Sequence, residues 1–171
     1  LRLKTNGSYR VEPVGSAVFG QEYTRCYARL CSQYPVVGER SAEYLNWRYT
    51  ENPLGEFCRL ELRRQGALEG FLIYTLDSDV LQIKDLLCTN RTEPIDRLLR
   101  TILSQARKSR AAAVSFVLKE NNGLLPLLRR HGFRFRFEES KIYAHANMGR
   151  SLNELWLNGD NWFMTVGDRD V

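Results

Sequence analysis

The hydrophobic period of this chain changes repeatedly between residues 57 and 133, and the order of those changes limits the topologies open to it. Residues 57–64 alternate, with Cys58, Leu60 and Leu62 on one face and Arg59, Glu61 and Arg63 on the other. Gln65-Gly66 turns the chain into residues 68–76, and Asp77-Ser78-Asp79 turns it again into residues 81–89, so three strands follow one another. The period then becomes helical. Ile95, Leu98, Leu99, Ile102, Leu103 and Ala106 fall on one face, with Arg97, Arg100, Arg107 and Lys108 opposite. Residues 111–118 form a short apolar run, the pattern of a strand covered on both faces. A further helix carries Leu124, Leu125, Leu127 and Leu128 and closes at Gly132. Strand, helix, buried strand, helix implies a crossover connection, and hence a parallel pair within a mixed sheet.

The flanking segments extend this plan. Residues 8–14 alternate as a strand. Phe19, Tyr23, Cys26, Tyr27, Leu30, Cys31 and Tyr34 form a helical stripe ended by Pro35. A short helix spans 41–49 with Ser41 as its N-cap, and Glu51-Asn52-Pro53-Leu54-Gly55 forces a loop. Phe133, Phe135 and Phe137 alternate inward against Arg134 and Arg136, and residues 141–148 complete a hairpin. The expected fold is α/β (mixed α+β): a twisted mixed sheet of about seven strands flanked by about four helices. Residues 1–150 form a single domain, and 151–171 a C-terminal tail whose Trp156, Trp162, Phe163 and Met164 pack back on it.

A chain of 171 residues supports one core of ordinary size. It begins at Leu1, which raises the expectation of a piece cut from a longer polypeptide. No apolar run approaches the ~20 residues of a membrane span. Cys26, Cys31, Cys58 and Cys88 form no Cys-x-x-Cys and have no histidine at ligand spacing, so the sequence indicates free thiols in a reducing cytoplasm and no metal. The net charge of +5 suits an anionic ligand or an ordinary basic surface. Nucleic acid is disfavoured as a partner, because the arginines of 97–136 lack the exposed stacking aromatics that such proteins use.

The order and spacing of these elements over residues 8–148 resemble the GNAT acyl-CoA N-acyltransferases. In that family the strand before the loop splays from its neighbour and offers backbone groups to the pantetheine arm. The resemblance places Leu86, Leu87 and Cys88 there. Amides of the loop and of the following helix N-terminus bind the pyrophosphate, a site that oriented N–H groups and the helix dipole favour. The family pattern Arg/Gln-x-x-Gly-x-Gly/Ala falls on Asn90, Glu93 and Ile95, none of which matches. Glu93 brings a carboxylate and Pro94 removes a donor, leaving Arg91 and Thr92 as phosphate ligands. The other reading of Pro94 is that it occupies the first position of the helix, capped by Thr92 or a neighbour. Asn121 matches the family's asparagine early in the next helix, while the tyrosine that commonly protonates the departing thiolate is replaced by Leu128. Tyr143 is a substitute by residue type.

Asp85 is the candidate general base, because a carboxylate inside Ile83-Lys84-Asp85-Leu86-Leu87 is costly unless it works or is paired. Pairing with an arginine is the competing reading. A narrower resemblance, carried by Tyr44-Leu45-Asn46-Trp47-Arg48-Tyr49 and by Trp162-Phe163-Met164-Thr165-x-Gly167-Asp168-x-Asp170, is to a GNAT-like group from bacterial envelope polysaccharide gene clusters, often built as tandem halves. Trp47 and Tyr49 then line an acceptor cleft or belong to the core. Asp168 and Asp170 read as an exposed acidic terminus rather than a metal pair.

The resemblance implies acetyl-CoA or another acyl-CoA as donor, a small-molecule or peptide amine as acceptor, and direct attack of that amine on the thioester. The alternative is a catalytically degenerate GNAT-like domain serving as the partner-binding half of a tandem protein, with a second GNAT-like domain in the same polypeptide.

Overall fold

A computed structural model of the chain describes residues 8–15, 17–53, 55–119, 123–136 and 150–169, with side chains of the last segment described from residue 154 onward. Five strands form the main sheet: β1 (Arg10–Val14), β3 (Cys58–Arg64), β4 (Ala67–Asp77), β5 (Val80–Cys88) and β6 (Ala113–Phe116), in the order β1-β3-β4-β5-β6. Neighbours are antiparallel except β5 and β6, which are parallel and joined by α3 (Thr92–Lys108). A separate parallel pair joins β2 (Val36–Val37) to β7 (Trp162–Phe163), so the expected single sheet is divided into five strands and two among the described residues. The two turns of the meander carry left-handed residues, Gln65 and Gly66 in one and Ser78 in the other, as tight antiparallel hairpins require.

One face of the sheet packs on α3 and α4 (Leu125–Arg130), where Leu60, Leu62, Leu72, Leu86, Leu98, Leu99 and Ile102 form the larger core. The other face packs on α1 (Gln21–Leu30) and on α2 (Ala42–Leu45), which runs on into a π-type turn over Asn46–Thr50. Ser41 caps α2, its side chain accepting from Tyr44 N. Gly132, at φ +87°, ends the α4 turn in the left-handed conformation that favours glycine.

The polar face of β3 is buried, because α1 lies over it: Tyr23 Oη donates to Glu61, Arg63 joins Glu61 (2.8 Å) to Glu22 (2.6 Å), and the Arg59 guanidinium lies 4.3 Å from the Phe19 ring centroid. The polar half of the alternation thus forms an ion-paired interface with α1. Three expectations are corrected, at the strand after α3, at residues 133–136 and at Pro94. The strand after α3 is not covered on both faces; none of β6 is fully buried, and among the described residues it is the sheet edge. Residues 133–136 form no strand, and while Phe133 packs on the core Phe135 is 56% exposed. Pro94 is the third residue of α3 and not the first, which costs nothing because N–H groups of a first helical turn have no partner within the helix. The expected hairpin over 141–148 lies outside the described residues.

α5 (Arg150–Leu157) and the segment to residue 169 form the tail, whose Phe163 joins the larger core. Its closing edge-to-face pair is Trp156 with Trp162 (5.1 Å between centroids).

Candidate functional site: the opening between β5 and β6

The β5–β6 ladder runs only from Val80↔Ala113 to Ile83↔Phe116, whereas β5 continues to Cys88. At that point the register of β4 with β5 steps from Tyr74↔Ile83 to Ile73↔Asp85, leaving Lys84 as an extra residue. Such a bulge increases local twist and turns the residues beyond it to the opposite face. Leu81, Ile83, Leu86 and Cys88 accordingly belong to the core under α3, while Leu87 joins the core under α1. Asp85 shares the face of Leu87. Without the bulge it would follow Leu81 and Ile83 into the apolar core of α3, where nothing could pair with it.

On the α1 and α2 side Asp85 meets a full set of donors. Arg40 Nη2 (3.2 Å), Thr165 Oγ1 (3.0 Å) and the backbone N–H of Leu86 (2.8 Å) donate to Oδ1, and Tyr49 Oη donates to Oδ2 (3.3 Å). Arg40 grips Asp168 with both terminal nitrogens, Nη1 to Oδ1 and Nη2 to Oδ2, each at 2.6 Å. Fork-to-carboxylate geometry of this kind is among the stronger polar contacts a protein makes. Arg40 and Asp85 are both 0% exposed, so the pair depends on its own partners for solvation. Burial opposes the charge of Arg40, yet Asp85 and Asp168 outweigh it and hold the guanidinium pKa above its ordinary value. Burial, and then the charge of Asp85, push the Tyr49 phenol well up, so it acts here as a donor. Arg40 Nε has no hydrogen-bond partner among the described residues.

The tail passes through this opening. Phe163 is buried in the core under α3 and α4 and stacks on Tyr34 at 4.3 Å. Lys119 N donates to Met164 O (3.0 Å), and Leu118 pairs with Thr165. Thr165 then caps a 3-10 turn over Val166–Asp168, its hydroxyl accepting from Gly167 N (3.2 Å) and its N–H donating to Asp168 Oδ2 (2.8 Å). At Gly167 the chain has reached the other face, where Tyr44 Oη donates to its carbonyl (3.0 Å). A Cβ on Gly167 would lie 3.0 Å from Asp85 Oδ2 and run into Tyr49 Oη, and one on Gly38 would run into Asp168.

The residues singled out from the sequence therefore divide. Asp85 is at the centre of the cluster, but every contact it makes is with a donor of this chain. Leu86, Leu87 and Cys88 are buried beside the opening, and the Leu86 N–H is already taken by Asp85. Burial raises the Cys88 thiol well above its ordinary pKa. Arg91 and Thr92 are exposed at the start of α3, whose N-terminus has no side-chain cap. Glu93 is turned along the helix to Arg97 (3.1 Å). An anion would thus find the helix start accessible. An extended arm would find the tail lying between Asp85 and Leu118. Leu128 is buried in the core, and Trp47 is 59% exposed while Tyr49 is buried. Asn121 and Tyr143 lie outside the described residues. The exposed acidic terminus is corrected at Asp168, which is nearly buried against Arg40.

Arg40, Thr165 and Asp168 were missed as site residues. One cue was present: Thr165-x-x-Asp168 has capping-box spacing, which predicts a fixed turn where a loose terminus was expected. Two cavities lie in the described structure, the first over β3 and β4 and the second beside Asn90 and the tail. One of ≈ 340 Å³ is lined by Phe19, Tyr49, Phe57, Arg59 and Ile73, and one of ≈ 260 Å³ by Gln33, Asn90, Gly123 and Trp162.

Solved structures share this architecture. An aminoglycoside acetyltransferase from an uncultured soil metagenomic sample, in complex with sisomicin, superposes with a TM-score of 0.56 at 12% identity, covering 81% of this chain and 97% of its own. The fold is that of the GNAT acetyltransferases. An aminoglycoside N-acetyltransferase in complex with CoA has a TM-score of 0.52 at 10% identity, covering 85% and 99%. A tandem GNAT protein from the clavulanic acid biosynthesis pathway has a TM-score of 0.56 at 14% identity, with 73% of this chain matching 43% of that one. No family model and no curated protein matches the sequence.

Proposed function

We propose that the chain is an acyl-CoA-dependent N-acyltransferase. An amine acceptor, a small molecule or a peptide, attacks the thioester carbon of acetyl-CoA or another acyl-CoA. The C–N bond forms as the C–S bond breaks, the amine gives up a proton, and the thiolate takes one. The observation that carries this reading is the parting of β5 from β6 beyond the Lys84 bulge, beside an exposed helix start, in a fold shared with acetyltransferases. Leu86, Leu87 and Cys88 would guide the pantetheine arm through their backbone, Arg91 and Thr92 would meet the pyrophosphate, and the resemblance assigns Asn121 to the same function. Asp85 is the base once Arg40 and Thr165 withdraw, and Tyr143 is assigned the proton for the thiolate. Among the described residues no helix is long and apolar enough to cross a membrane, and all four cysteines are free. We assign the cytoplasm as its compartment.

Calorimetric titration of the full chain with CoA and acetyl-CoA tests the reading. Saturation near 100 times Kd should stabilise the fold by about 2.7 kcal/mol, visible as a raised melting temperature. Absence of heat and of thermal shift with both ligands counts against it. A second reading, the degenerate partner-binding half, is favoured by one observation: the carboxylate at the base position is wholly enclosed by Arg40, Thr165 and Tyr49.

A further inference from the structure

The tail occupies the gap that an extended thioester arm would need. Leu118 and Lys119, which continue from β6, hydrogen-bond to Met164 and Thr165 of the tail and not to β5. Thr165 spans to Asp85 on the other side of the gap. The pantetheine arm of CoA presents the same chemistry as this stretch of backbone, amide N–H and C=O groups along an extended chain, so both would compete for one edge.

The segment is also built to leave as a unit. Its 3-10 turn is closed by its own capping box, so the turn needs nothing from the body to persist. Besides the backbone pairing of Trp162 and Phe163 with β2 and of Met164 and Thr165 with Leu118 and Lys119, it is held by the Phe163 ring on Tyr34, by Thr165 on Asp85, by Tyr44 on the Gly167 carbonyl and by the charged fork of Arg40 on the Asp168 carboxylate. The fork is incompletely satisfied, since Arg40 Nε has no partner among the described residues. A buried polar cluster lacking one partner is easier to open than a complete one.

We propose that residues 162–169 are an autoinhibitory strap that closes the β5–β6 opening and is latched by Arg40 and Asp168. Entry of the acyl-CoA arm displaces the strap, and the same movement withdraws Thr165 from Asp85 and frees Arg40 from Asp168. Ligand entry and exposure of the base are thereby one event. The inference rests on the acyl-CoA reading above.

The test uses the full chain with CoA as probe. Asp168→Asn weakens the latch while keeping the side-chain shape, with circular dichroism confirming the fold. Val36→Cys/Trp162→Cys, made with Cys31 and Cys58 as Ser, joins register partners across β2 and β7 and locks the strap when oxidised. The expected result is CoA affinity raised about tenfold or more by Asp168→Asn, since the open fraction scales the apparent affinity. Oxidation of the cysteine pair should abolish binding and reduction restore it. Amide exchange at 162–169 should accelerate when CoA is added. Equal CoA affinity in the oxidised and reduced pair overturns the strap and leaves the acyl-CoA reading intact. No CoA binding in any form, Asp168→Asn included, overturns the acyl-CoA reading and the strap with it.

Discussion

Arg40 is the residue on which two otherwise uncompensated carboxylates depend. Arg40→Met should destabilise the fold by about 3–5 kcal/mol, because truncating one partner of a buried ion pair strands the other. Chemical denaturation measures this, and adding Asp85→Asn to Arg40→Met should recover part of the loss by removing a stranded charge. Gly167→Ala should cost about 1–3 kcal/mol, since its methyl group meets Asp85 and Tyr49 within a packed site. Gly15→Ala, where nothing lies within 4 Å, is the control and should be close to neutral. At this scale the sequence flagged Asp85 and offered an arginine as its partner, but it did not say which arginine. A carboxylate inside an apolar strand signals a costly burial whatever surrounds it. The donor that relieves the cost lies 45 positions away in Arg40, which in turn pairs with Asp168 at a separation of 128. No local period encodes such a pairing.

Helices and strands were more legible than the cluster, because their signals are local. The stripe of α3, the cap of α2 and the glycine ending α4 follow from spacing and backbone sterics over a few residues. The bulge at Lys84 was not legible, and it decides which face Asp85 takes. The join between α3 and α4 is also tertiary: Asp96 accepts from Arg100 Nε (2.6 Å) and Arg130 Nη2 (2.9 Å) and lies 2.9 Å from His131 Nε2. Burial pushes the Asp96 carboxyl up, but these partners outweigh it and hold its pKa below the ordinary value of 3.8. A depressed carboxylate adds stability above its unfolded pKa and loses it as pH falls through the folded one. Wild-type stability should therefore fall more steeply below pH 3.8 than that of Asp96→Asn. Urea midpoints measured across that range check the sign, and parallel curves would show that Asp96 contributes nothing to acid sensitivity.

Across the molecule, protection should follow enclosure. β4 is the central strand, and Phe71, Leu72 and Ile73 are fully buried with cores on both sides. Their amides should be among the last to exchange with deuterium, whereas those of β6, at the sheet edge, and of residues 162–169, in a two-residue strand pair and a single 3-10 turn, should exchange earlier. Exchange of the tail in step with β4 would mean that it opens only on global unfolding. The sequence by itself determined the succession of strands and helices from β3 to α4, the turns between them and, through that order, a GNAT-like plan. Each of these depends on side-chain period and backbone sterics within a few residues. Only the tertiary structure decided that the tail fills the β5–β6 opening and that Asp85 is enclosed by Arg40, Thr165 and Tyr49. Those outcomes depend on which distant groups share a buried site, where the cost of an unpaired charge is settled by neighbours in space and not in sequence.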